Sequence, residues 1–327
     1  MSRVLLTGAT GFLGRHVLCA LERARPGVTV VGLARRPAGL PPPVRPIAGA
    51  VERPDAWSGH PDLVGVDTIV HLAARQRHTR SDADATHAVN VDGTLAMVDL
   101  AARLGARLVF VSTAGTVGVF TGPRGWADEH SPFAERLVAR WPYYASKLLA
   151  ERRATRRCRD LGVELVILRP PTLLGPDAPS EASVRPVARI LDGGPAVSAR
   201  GGMHFVDVRA VASAVVAATS HPSPRPVYHL PGTQLSQRSF AHQVAALAGA
   251  QTRSRTVPWR ALHPLARASR RLAGARSPLP DPVQIELAGH WWGLRSRFAD
   301  ELCFRPPPAD VTLADTISWV RASRGIA

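Results

Sequence analysis

Two tyrosines and a lysine carry the first chemistry visible in this chain. Tyr143-Tyr144-Ala145-Ser146-Lys147 opens a helix-like stretch that continues Leu148-Leu149-Ala150-Glu151. Residues four apart lie one turn along the same helix face, so the Tyr143 phenol and the Lys147 ammonium can converge on one bound molecule. A neighbouring cation stabilises phenolate, which predicts a lowered phenol pKa and an acid or base role for Tyr143, with Tyr144 the weaker candidate. Lys147 is also the only lysine in 327 residues, the remaining basic residues all being arginine. Arginine serves wherever charge alone is needed, so a compact ammonium kept at this one place points to a crowded site that a broad guanidinium cannot enter. A third participant is expected where Phe110-Val111-Ser112-Thr113-Ala114-Gly115 ends a strand. A hydroxyl at that edge can hydrogen-bond a substrate oxygen, and Thr113 is preferred over Ser112.

A second constellation suits a dinucleotide. Thr7-Gly8-Ala9-Thr10-Gly11-Phe12-Leu13-Gly14 follows a predicted strand and runs into a predicted helix. Glycines there let the backbone turn, approach a pyrophosphate and begin a helix whose amides and dipole favour negative charge. Gly8, Thr10, Gly11, Phe12, Leu13 and Gly14 are therefore candidate cofactor contacts. The next strand ends in Leu33-Ala34-Arg35-Arg36 rather than in a carboxylate. Two guanidiniums able to grip a 2′-phosphate, with no acid to repel it, favour NADP(H). Leu72-Ala73-Ala74 closes another strand with side chains small enough for close cofactor approach. His71 and Asp67 nearby read as polar groups satisfied by local hydrogen bonds.

Elements that could hold these residues alternate through roughly the first 230 positions. Strands are expected at Val4–Thr7, Thr29–Leu33, Thr68–Leu72, Leu108–Ser112, Glu164–Leu168 and Val227–Leu230, and helices at Leu13–Arg25, Val89–Leu104 and Tyr143–Leu161. The fold class is α/β, a Rossmann-type doubly wound parallel sheet with a smaller C-terminal substrate-binding lobe. Pro170, Pro171, Pro176, Pro179, Pro186 and Pro195 break the rhythm, and no long helix is expected among them. The partition is residues 1–169 for the cofactor domain, with 205–230 returning to it, and 170–204 plus 231–327 for the lobe.

Composition excludes several other classes. The formal net charge is +16, a field that attracts polyanions. Yet arginine is scattered, the denser stretches Arg152–Arg159 and Arg267–Arg276 lack interleaved aromatics, and no zinc-finger or RNA-binding signature occurs, so nucleic acid is not an expected partner. Cys19, Cys158 and Cys303 are too dispersed for a disulfide framework or a metal knuckle, and a cytoplasmic setting with no metal is expected. There is no leader-like start and no apolar run of about 18 residues, so no transmembrane segment is expected. The tryptophans between Trp259 and Trp292 read as ordinary packing.

Taken together, the glycine motif, Leu72-Ala73-Ala74, Asn90-Val91-Asp92-Gly93-Thr94, Ser112-Thr113, Tyr143 to Lys147, Arg169-Pro170-Pro171 and Phe205-Val206-Asp207-Val208 resemble the extended short-chain dehydrogenase/reductase (NAD-dependent epimerase/dehydratase-like) family. The resemblance covers nearly the whole chain and is greatest to the dihydroflavonol reductase and 3β-hydroxysteroid dehydrogenase branch. It implies Thr113, Tyr143 and Lys147 as the catalytic trio, Tyr143 and Lys147 also touching the cofactor, Pro170 and Thr172 bordering the nicotinamide, and Asn90 supporting the site. It further implies a homodimer through the helices at Val89–Leu104 and Tyr143–Leu161. Ala114-Gly115 stand where sugar-nucleotide dehydratases usually carry Asp-Glu, Ala34 where epimerases usually keep an acid, and Ala50-Val51 where an Asp often caps the adenine. The resulting expectation is an NADP(H)-dependent oxidoreductase acting on a carbonyl or secondary alcohol of a small, partly apolar substrate. The alternatives are a sugar-nucleotide epimerase or dehydratase and a non-catalytic dinucleotide sensor.

Overall fold

A computed structural model describes residues 2–194, 197–251, 255–274 and 279–325; Pro195 and Arg276, singled out above, lie outside the described residues. Seven strands form the central sheet: β1 (Arg3–Thr7), β2 (Thr29–Ala34), β3 (Arg45–Ala48), β4 (Thr68–His71), β5 (Arg107–Val111), β6 (Leu165–Arg169) and β7 (Val227–His229). Their order is β7-β6-β5-β4-β1-β2-β3 and every pairing is parallel. The order reverses between β1 and β4, and a crevice opens there at the carboxyl ends of the strands. The expected strands form, with ends shifted by a residue or so. β3 was not expected: only Ile47 of its four residues is buried. An edge strand needs no apolar run, and Pro46 is tolerated there because one side of the strand has no neighbour.

Alternation along the strands assigns the helices to two faces. Val4 and Leu6 pack towards α1 (Phe12–Ala24) and the helix Val208–Ser220, whereas Leu5 and Ile69 pack towards α2 (Gly93–Leu104) and α3 (Pro142–Leu161). Side chains of successive strand residues point oppositely, so apolar runs such as Val4-Leu5-Leu6 fill both layers at once. α2 is entered through a π-helical turn at Ala88–Asp92 that places Asn90 and Val91 in the interior.

A second sheet joins Thr172–Leu174, Gly202–Asp207 and Thr233–Ser236, covered by the helices Arg185–Leu191, Gln237–Leu247 and Ala309–Ser323. Between Arg169 and Val208 the longest helix described is the seven-residue Arg185–Leu191, as the prolines require. Trp291–Trp292 pairs antiparallel with Val119–Phe120, carrying the late tryptophans back to the edge of the crevice. No helix among the described residues is long and apolar enough to cross a membrane.

Candidate active site

The glycine turn is shaped by contacts that exclude a side chain. Gly8 has φ +71°, and a Cβ on it would lie 2.8 Å from the Ala73 nitrogen. A Cβ on Gly14 would lie 2.2 Å from the Gly8 carbonyl oxygen, so Gly14 brings α1 against the turn rather than lining the crevice. Gly11 caps α1 with no side-chain hydrogen bond, and no acid occupies the helix's first turn. That helix start therefore suits an anion. From it a groove of about 740 Å³ runs past Thr10 and Ala73 to Arg35 and Arg36. Both arginines are exposed, and neither side chain has an ion pair among the described residues. The shape and donors fit a nicotinamide dinucleotide: a backbone cradle for pyrophosphate, small walls at Leu72-Ala73-Ala74 and guanidiniums at the far end.

Beneath the groove, His71 is fully buried and its pKa is driven down to about 3 by desolvation, with the Lys147 charge adding to it. Thr94 spends its hydroxyl proton on the Asn90 carbonyl at 2.6 Å, so it accepts from His71 Nε2 at 3.1 Å. His71 Nδ1 then accepts from Thr7 Oγ1 at 2.8 Å, and that oxygen accepts from the Leu72 and Ala73 amides. His71 is thus a satisfied neutral strut that joins β1, β4 and the small-residue wall. Asp67 accepts from Ser2 Oγ and the Arg3 amide, pinning the start of β1.

The catalytic candidates lie at the mouth of the same crevice. Thr113, Tyr143 and Lys147 line one cavity of about 470 Å³ together with Leu13, Pro170 and Thr172. Phe12 also lines it. Lys147 is 2% exposed; its Nζ donates to the Val111 carbonyl at 2.8 Å and stands 4.6 Å from the centre of the Phe110 ring. Burial pulls its pKa down to about 8, against the pull of the Glu151 carboxylate one turn along α3. The Tyr143 phenol departs from expectation: desolvation pushes it up to about 12, and the nearby Thr113 hydroxyl only moderates the rise. Burial of the phenol, not the Lys147 charge, sets the direction. Burial moves the Tyr144 phenol upward as well.

Thr113 and Ser112 are separated by their partners. The Ser112 hydroxyl is buried and donates to the Glu151 carboxylate. Thr113 caps the turn Ala114–Thr116 and faces the Tyr143 phenol. Gly115 permits the Tyr144 ring to lie where a side chain would be: a Cβ there would fall 2.2 Å from that ring. Asn90 donates from Nδ2 to Ser146 Oγ at 2.9 Å and accepts from the Arg75 amide at 2.7 Å, joining α3 to the segment after β4.

A buried charge chain behind Lys147 was not anticipated. Arg169 donates from Nε to Glu151 Oε2 at 3.0 Å and pairs its Nη1 with His229 Nε2 at 3.2 Å. The His229 amide donates to Glu129 at 3.1 Å, and Glu129 also accepts from the Arg297 amide at 3.0 Å. The chain thereby ties α3 to β6, β7 and two loops. Glu151 stands at the i+4 position from Lys147, which was the one signal available; its partners come from remote sequence. Beyond Tyr144 the cavity continues into a cleft of about 660 Å³ bounded by His78, Met203, Phe240 and Leu287.

The sequence model of the NAD dependent epimerase/dehydratase family matches residues 4–230. The chain belongs to this family. Dihydroflavonol 4-reductase of Zea mays is 31% identical over 191 residues, covering 53% of this chain and 53% of that protein. The chain therefore spans about half the length of that relative. Cinnamoyl-CoA reductase 1 of Oryza sativa subsp. japonica is 29% identical over 265 residues, covering 75% of each. Among solved structures, UDP-glucose 4-epimerase of Thermus thermophilus in complex with NAD superposes with a TM-score of 0.76 over 98% of this chain and 99% of that one, at 21% identity. This epimerase/dehydratase-family chain thus has the Rossmann-type α/β fold.

Proposed function

We propose that the chain is an NADP(H)-dependent oxidoreductase that reduces a carbonyl, or oxidises a secondary alcohol, on a small, partly apolar substrate. The observation that carries this reading is the meeting of Thr113, Tyr143 and Lys147 in one cavity between the glycine-turn groove and an aromatic cleft. Bound there, the dinucleotide supplies or accepts hydride. Thr113 orients the substrate oxygen, and Tyr143 Oη holds the proton that this oxygen gains. A phenol that burial keeps protonated can give its proton to the substrate oxygen during reduction, and the same phenolate takes it back during oxidation. Lys147 supplies a fixed cation whose position is set by the Val111 carbonyl. Gly8, Thr10 and Gly11 would cradle the pyrophosphate, Pro170 and Thr172 border the nicotinamide, and Arg35 and Arg36 take a 2′-phosphate.

Gly115 favours a reductase over a dehydratase. The Tyr144 ring fills the place of its side chain, so the second acid of the pair expected after the catalytic hydroxyl of a dehydratase has no room at position 115. An epimerase would return its cofactor unchanged, whereas a reductase consumes it. The test is to titrate the protein with NADPH and NADH and then follow absorbance at the nicotinamide band across ketones and sugar nucleotides. Net NADPH consumption with a ketone is expected. Tighter binding of NADH would reject the role of the arginines, and conversion of a sugar nucleotide without net consumption would reject the reductase.

A further inference from the structure

The helix Trp259–Ala273 is anchored along one edge. Ala266 is its only buried residue, packed with Ala199 and Ile285. Ala261, Leu265, Ala268 and Leu272 recur at i, i+4, i+7 and i+11 and are all exposed, Leu265 by 60% and Leu272 by 91%. That spacing places them in one stripe. One residue back from three of its members stand Arg260, Arg267 and Arg271, which form a parallel cationic stripe with Arg270 nearby. Arg267, Arg270 and Arg271 have no ion pair among the described residues. Charge is segregated well beyond the helix: no Asp or Glu occurs between Asp207 and Asp281, a stretch that holds ten arginines.

We propose that this helix docks the protein on an anionic phospholipid surface, with Leu265 and Leu272 entering the acyl boundary and the arginine stripe meeting the headgroups. Adjacent apolar and arginine stripes are the pattern of an interfacial helix. The occupant follows from size and charge. The stripe is a single convex helix about 17 Å long, well short of the roughly 800 Å² per partner that a stable protein interface buries. A bilayer conforms to such a ridge, and its negative charge complements a helix that lacks acids. The neighbouring helix Pro282–Ala288 packs on the docking helix through Ile285 and presents Leu287 to the substrate cleft. Docking therefore brings the cleft within one helix of the lipid. The proposal stands on this surface alone and does not require the reductase reading.

The test is co-sedimentation of the full chain with vesicles of phosphatidylglycerol and phosphatidylcholine in equal parts, against phosphatidylcholine alone, with gel filtration of each protein beforehand. At least about tenfold stronger partitioning into the anionic vesicles is expected. The Leu265→Ser/Leu272→Ser and Arg267→Gln/Arg270→Gln/Arg271→Gln variants should each lose about tenfold or more while keeping the wild-type melting temperature and cofactor affinity. No preference for anionic vesicles would overturn the proposal. So would undiminished binding by the leucine variant, which would assign adhesion to the diffuse +16 charge. A wild-type dimer abolished in the leucine variant would make the stripe a contact between copies and overturn it equally.

Discussion

At the catalytic candidates Lys147 and Arg169 have buried partners, whereas at the far end of the glycine-turn groove Arg35 and Arg36 have no ion pair among the described residues. Lys147 is fixed between the Val111 carbonyl and the Phe110 ring, and Arg169 is enclosed by Glu151 and His229. Arg35 and Arg36 are exposed and unpaired among the described residues. Burying an ion costs several kcal/mol unless its geometry is well satisfied, so the first region is rigid by necessity and intolerant of change. Exposed guanidiniums cost the fold little, so the second can be altered with effects on affinity alone.

The largest effect should follow from removing the proton held at Tyr143. Tyr143→Phe is expected to lower kcat for ketone reduction by roughly 10²–10⁴-fold with NADPH affinity nearly unchanged, measured by initial rates and a fluorescence titration. Next comes the charge chain behind it. Glu151→Ala leaves Arg169 buried without its carboxylate and should cost about 3–5 kcal/mol in urea denaturation, whereas Arg35→Ala/Arg36→Ala should stay within about 0.5 kcal/mol of the wild type. Equal costs in the two regions would dissolve the contrast drawn between them.

Acid should separate the regions further. Desolvation holds His71 down to about 3 and His78 and His204 down to about 4, against an ordinary value of 6.5. Between those limits the unfolded chain binds more protons, so stability is full above about pH 6.5 and drains away as pH falls towards 4. All three histidines lie beneath or around the catalytic cavity and its cleft. The urea midpoint should therefore decline through this window in the wild type and the Arg35→Ala/Arg36→Ala variant alike. The smallest effect is on cofactor choice: that double variant should weaken NADPH binding on the order of tenfold and leave NADH binding nearly unaltered.

What the sequence disclosed follows the same division. The placement of the glycine turn, Arg35 and Arg36 along one groove and of Tyr143 and Lys147 in one cavity was legible because each depends on local spacing or on position at a strand end. Six sheet strands were legible from apolar runs, and β3 was hidden because an edge strand buries one residue in four. The Glu151, Arg169, His229 and Glu129 chain could not be read, since its members come from four remote segments that only the completed sheet brings together. The direction of the Tyr143 shift was misjudged for a related reason: spacing reveals a neighbouring ammonium, but desolvation depends on packing by groups such as His78 and Tyr144 that spacing alone does not weigh.

The central claim is that the site requires the compact ammonium of its single lysine and that arginine, abundant everywhere else in the chain, cannot replace it. Initial rates of NADPH oxidation by wild type and Lys147→Arg, with a ketone that the wild type reduces, test this directly. A fall of at least about a hundredfold in kcat, with the variant still folded, is expected. Undiminished turnover in Lys147→Arg would contradict the account.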